Sequence, residues 1–217
     1  MVRKVLSSFD FGSIVPKPFR IQRRSRFLQM QYAMWEKQGC AIPPPHAVKQ
    51  WVLWKYAKKY RIHTFVETGT YQGAMVLGLQ DIFSEIYSIE LSCELFDQAV
   101  KRFKNRKHIT LLQGDSSTEL GKIVPKLTTP ALFWLDAHYS AGITARGSKD
   151  TPIYEELKVI LESTNIEHIL VIDDARCFGK EPGYPSINDL KQYVNSMRPT
   201  ANFFVEADSI RILPSGK

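Results

Sequence analysis

From residue 63 onward the chain alternates between two hydrophobic rhythms. Five short runs, HTFVET (63–68), EIYSIE (85–90), HITLLQG (108–114), ALFWLDA (131–137) and HILVIDD (168–174), predict strands. Most are nearly continuous apolar stretches that end on an acidic or small polar residue, as strands covered on both faces do. Between them, 74–83, 92–104, 116–127 and 152–163 place apolar residues at helical spacing. The closing stretch NFFVEADSIRILP predicts two more strands joined at a tight turn over Ala207-Asp208-Ser209. Strand and helix in alternation predict an α/β fold. Its doubly wound sheet should have seven strands, mostly parallel, with an antiparallel last strand.

The first 60 residues follow another pattern. Residues 26–38 and 46–60 each predict a helix, separated by Gly39 and the stiff Pro43-Pro44-Pro45 link. Residues 1–25, with Pro16 and Pro18, read as an arm. Two parts result: residues 1–60, a basic arm and helical extension serving as a lid or a dimer contact, and a domain over 61–217. Charge supports the division. Of a net +7, residues 1–60 hold 12 Lys/Arg and two acids, and the rest of the 217-residue chain nets −3. The arm's arginines could meet nucleic acid, anionic lipid or an acidic partner, or form a solvated face. No apolar run approaches the length of a membrane span, and no signal-type apolar segment follows the N-terminus. Three widely spaced cysteines without C-x-x-C pairing fit a reducing, cytoplasmic setting.

The chemistry begins at VETGTYQG, residues 66–73. A strand, a glycine turn and a helix start suit a ligand beyond the strand ends, where Gly69 and Gly73 let the backbone approach it. A phosphate loop would carry a third glycine, and here Tyr71 stands in its place. Glu67 would repel a pyrophosphate and suits an ammonium group instead. Glu90 follows Glu67 by 23 residues, at the end of the second strand, as a carboxylate accepting two ribose hydroxyls would. An adenosine with an ammonium and no phosphate describes S-adenosylmethionine.

At these residues the chain resembles the class I methyltransferases, and among them the catechol O-methyltransferase type. The E-x-G-x-Y-x-G loop of that type is matched by Glu67, Gly69, Tyr71 and Gly73. The likeness continues through Ile89-Glu90, Gly114-Asp115-Ser116, the F-W-L-D ending at Asp136 and the V-I-D-D ending at Asp174. It implies a Rossmann-like fold and a cofactor cradle. In that cradle Glu67 and the Gly69–Gly73 backbone, with Thr70 and Tyr71, hold the methionine part, Glu90 the ribose, and Asp115 with Ser116 the adenine edge. Asp136 borders the same site. Gly-Asp-Ser reads equally well as a helix N-cap, and both roles are compatible.

Asp136, Asp173 and Asp174 fall at neighbouring strand ends, where three carboxylates repel unless a cation joins them. The resemblance implies a magnesium ion here, and the oxygen set suits Mg²⁺. The alternative is that an aspartate only caps a turn and binds Arg176. The relatives' lysine base is replaced by Tyr139, which leaves His138 as the nearest group suited to take a proton, with Asp150, Tyr139 or water behind it. The loops 138–152 and 177–185 would frame the acceptor, polar and poor in aromatics. These readings combine as a metal-assisted O-methyltransferase for a small polar acceptor, a carbohydrate hydroxyl first. The alternatives are a nucleic-acid methyltransferase, which lacks a base-flipping motif here, and a non-catalytic protein that kept the fold.

Overall fold

The computed structural model describes residues 15–136, 151–162 and 166–215. The elements are α1 (Lys17–Lys37), α2 (His46–Lys59), β1 (Thr64–Thr68), α3 (Ala74–Leu79), β2 (Glu85–Glu90), α4 (Cys93–Phe103), β3 (Ile109–Gln113), α5 (Ser116–Ile123), β4 (Ala131–Leu135), α6 (Ile153–Glu162), β5 (Ile169–Ile172), α7 (Ile187–Met197), β6 (Asn202–Glu206) and β7 (Ser209–Leu213).

The sheet runs β3-β2-β1-β4-β5-β7-β6. The first five strands pair in parallel, and β7 lies antiparallel between β5 and β6. The hairpin turn is Ala207-Asp208, both left-handed at φ 50° and 57°, as a two-residue loop of the twist-matching type requires. Successive strand residues face opposite layers. Phe65, Leu132, Trp134 and Val171 pack with α2, α3 and α4, while Val66, Phe133, Leu135 and Leu170 pack with α5, α6 and α7. The strand order reverses between β1 and β4, so the switch point opens at Thr68 and Leu135.

The N-terminal helices depart from the sequence reading in one respect. The helix expected from residue 26 begins at Lys17, with Pro16 as its cap and Pro18 in its first turn. Proline is tolerated there because the first-turn amides need no intrahelical acceptor; it starts this helix where the arm reading had it breaking one. Arg20 pairs with Asp81, at 2.7 Å. Arg24 donates to Gln50 of α2, whose Nε2 in turn donates to the carbonyl of Ala74 at 2.9 Å. Leu53 and Ala57 place α2 within the core of the sheet's first face. The arm's residues 1–14 lie outside the described residues.

Candidate active site

The turn after β1 is built on three left-handed residues, Gly69, Tyr71 and Gly73, at φ 81°, 48° and 69°. The amides of Gly69 and Thr70 both donate to the Ile89 carbonyl, tying the turn to β2. At Gly73 a Cβ would meet the Phe103 ring at 2.8 Å, so only glycine serves. Tyr71 points outward and is half-exposed. Its amide donates to Glu90 Oε2 at 2.7 Å, and the amide of Ser92 donates to Glu90 Oε1 at 2.9 Å. The tyrosine that replaces a glycine thus turns its ring away and offers its backbone to the carboxylate.

Glu67 is fully buried. Ser88 Oγ donates to it at 2.6 Å and lies 2.6 Å from Thr70 Oγ1. Burial raises its carboxyl well above the usual range, Asp136 and Glu90 add to the effect, and the Ser88 bond opposes it. Asp115 caps α5, accepting from the Ser117 amide at 3.0 Å, so the capping role read from the sequence is realised. Ser116 follows, buried, and with Thr68 donates to Glu156 of α6. That glutamate is also buried, with Oε1 unpartnered, and burial pushes its carboxyl up to about 8.

The structure brings Asp136, Asp173 and Asp174 together, one oxygen from each lying within 4.8 Å of the others. Asp173 Oδ1 is buried without a hydrogen-bond partner. Asp174 is left-handed (φ 55°), opens a 3₁₀ turn and accepts from Arg176 at 2.6 Å, while the same guanidinium reaches Asp208. The Arg176 contact named in the alternative is therefore made, although the Asp174 side chain makes no capping hydrogen bond, and Asp174 stays within the cluster.

Two groups near these aspartates escaped the sequence reading. Lys49 of α2 binds Asp173 Oδ2, lies 3.8 Å from Asp174 and sits 5.8 Å above the Trp134 ring. Burial works against its charge, yet Asp173, with Asp136 and Asp174, holds it above its ordinary value. In return burial, then Asp136, pushes Asp173 up to about 7 against the pull of Lys49. The first residue of α2, His46, is open to solvent on one side. Lost hydration and then Lys49 lower its pKa, with Asp136 pulling the other way. Neither group could be placed from sequence, because nothing in a helix read as a cover says which cation reaches under it. His138, Tyr139, Arg146, Lys149 and Asp150 lie outside the described residues.

Beside the aspartates is a solvent-open cleft, lined in part by Asp136, Thr151, Glu156, Asp173, Phe178 and Tyr184. Phe178 and Tyr184 meet edge to face at 5.1 Å. Both belong to the 177–185 stretch, so this side of the cleft carries two aromatic rings.

No protein-family model matches the chain, and no curated protein sequence does. Solved structures match its fold. The O-methyltransferase TomG of Streptomyces achromogenes, involved in tomaymycin synthesis and solved with S-adenosylmethionine, is 16% identical over 87% of this chain and 89% of its own, at TM-score 0.56. The Podospora anserina methyltransferase PaMTH1, bound to S-adenosylhomocysteine, is 15% identical over 99% and 100%, at 0.56. An O-methyltransferase of Bacillus cereus, also with S-adenosylhomocysteine, is 13% identical over 88% and 90%, at 0.53. The fold is that of the class I methyltransferases.

Proposed function

We propose that the chain is an S-adenosylmethionine-dependent O-methyltransferase for a small polar acceptor, with a carbohydrate hydroxyl as the leading candidate. The observation that carries this reading is the pairing of two buried carboxylates, Glu67 and Glu90, around a glycine turn at the switch point. A buried acid held above its usual pKa ionises when a cation arrives, which suits Glu67 to the cofactor's ammonium. Glu90 accepts two amides and still has lone pairs for ribose hydroxyls. Asp115 and Ser116 border the adenine side. Fold neighbours crystallised with this cofactor or its product support the assignment.

The aspartates suit a hard divalent cation such as Mg²⁺. Among the described residues, Lys49 pairs with Asp173 and Asp174 and Arg176 with Asp174 and Asp208, and Asp173 Oδ1 lacks a partner. When bound, such an ion would orient the acceptor oxygen and favour its ionised form. Lys49 would hold the opposite oxygen of Asp173 and keep Oδ1 facing the cluster. The proton would pass to His138 or to His46. Phe178 and Tyr184 offer apolar faces of the kind on which a sugar ring rests.

The reading is tested by binding first. At a hundredfold excess over Kd, S-adenosylhomocysteine should raise Tm by about 5–10 °C. Glu90→Ala should abolish most of that shift. An unchanged melting curve with both S-adenosylmethionine and S-adenosylhomocysteine would sink the assignment.

A further inference from the structure

The two faces of α1 differ in what they touch. Leu28 and Trp35 are buried inward, and Arg20 and Arg24 turn to Asp81 and Gln50. On the opposite side four large apolar residues stand in solvent: Phe19 (64% exposed), Met30 (53%), Met34 (46%) and Phe27 (42%). At about 100° per residue these four fall within about 80° of arc, along about 22 Å of helix. Arg23, Arg26 and Lys37 share or border that sector, exposed and without an ion pair among the described residues. The helix has one acid, Glu36, which lies to the side of it.

We propose that α1 is an in-plane anchor that docks the protein on an anionic lipid surface. Phe19, Phe27, Met30 and Met34 enter the interface, while Arg23, Arg26 and Lys37 meet the headgroups. Charge decides between the possible occupants. A second copy would bring the same unpaired cations against themselves, with no acid in the sector to answer them. The apolar groups project from the convex face of a helix, so a protein partner would have to supply the concave side. A bilayer surface supplies apolar depth and negative charge together, and a helix with bulky apolar groups flanked by arginine matches it. None of the described helices is long and apolar enough to cross a membrane, so α1 would lie along the surface.

The test is co-sedimentation of the full chain with vesicles of phosphatidylcholine alone, or with one part phosphatidylglycerol to two of phosphatidylcholine. The expected result is sedimentation with the mixed vesicles, little with the neutral ones, and release by salt at about 0.5 M. Arg23→Gln with Arg26→Gln should weaken binding about 30-fold, at roughly a fivefold loss per charge. Met30→Ser with Met34→Ser should weaken it at least about tenfold. All four positions are exposed, so circular dichroism, Tm and S-adenosylhomocysteine binding should stay as in the wild type. Equal binding to both vesicle types, no binding, or binding indifferent to either double variant overturns the proposal. So does self-association in the ultracentrifuge that the methionine pair abolishes, which would assign the face to a second copy. Capture on polyglutamate beads without vesicle binding, lost in the same variants, would assign it to an acidic protein and equally overturn the anchor.

Discussion

At the scale of single residues, the proposed function divides the site between groups that would bind and groups that would react. Asp173 belongs to the second set if a cation joins the cluster, since one of its oxygens lies within 4.8 Å of oxygens of Asp136 and Asp174 and its Oδ1 has no hydrogen-bond partner. Asp173→Ala should bind S-adenosylhomocysteine nearly as the wild type does, yet turn over at least about a hundredfold more slowly, some 2.7 kcal/mol of barrier. EDTA should reproduce the loss in the wild type and Mg²⁺ should reverse it. Full turnover in excess EDTA would exclude the ion. The base is separated by pH. His46 is held below its ordinary pKa and is therefore neutral near pH 7, fit to accept a proton. If it serves, His46→Gln should lower kcat by about a hundredfold and remove the acidic limb of its pH profile, and His138→Gln should leave both in place. Glu67, Glu90 and the three aspartates were legible in the sequence because each ends a strand, and a parallel sheet gathers strand ends. His46 and Lys49 were not. They reach the site from a helix earlier in the chain, and only the docking of α2 on β4 and α3 brings them there.

Elements carry a different set of tests, and glycine separates them. Gly78 lies in α3, where a Cβ would stand 2.3 Å from the Gln50 amide nitrogen. That amide is held between Arg24 and the Ala74 carbonyl, so it cannot swing clear without giving up both. Gly78→Ala should cost about 1–3 kcal/mol despite alanine's better helix propensity. Gly121 lies in α5 with nothing within 4 Å of the same added atom. There the substitution should add about 0.5–1 kcal/mol. Urea denaturation of both variants reads the difference, and a neutral Gly78→Ala would mean that α2 packs more loosely than Gln50 implies. Element types were read correctly along the described chain because the apolar periods are strong. The ends were read less well. α3 stops at Leu79 although apolar spacing runs on to Phe83, and α1 starts nine residues before the sequence reading placed it. Proline decided the second error, since the same residue breaks a helix interior and opens a first turn.

For the whole molecule, Glu156 makes stability depend on pH. Its carboxyl titrates at about 8 in the folded protein and near 4.5 when exposed. The unfolded chain therefore releases this proton first. The associated stability is fully present below about pH 4.5 and is lost as pH rises through 8, by up to about 5 kcal/mol. Glu67, raised for the same reason, adds to the trend. Between pH 5 and pH 8 the wild type should lose Tm, and Glu156→Gln should lose clearly less over the same range. Parallel pH profiles for the two proteins would place the Glu156 titration outside this window.

The contact between Lys49 and Asp173 also sets an order in time. The two residues are separated by 124 positions, so on a ribosome adding about 5–20 residues per second the lysine emerges many seconds before its partner is made. Until Asp173 is made, the Lys49 ammonium has only water and Asp136 to answer its charge. On the proposed function, a nascent chain interrupted before Asp173 would hold the glycine turn with Glu67 and Glu90, and so the parts proposed to grip a methyl donor. It would lack the Lys49–Asp173 pair and with it the proposed acceptor side. Donor binding would then mature during synthesis, and transfer only near its end.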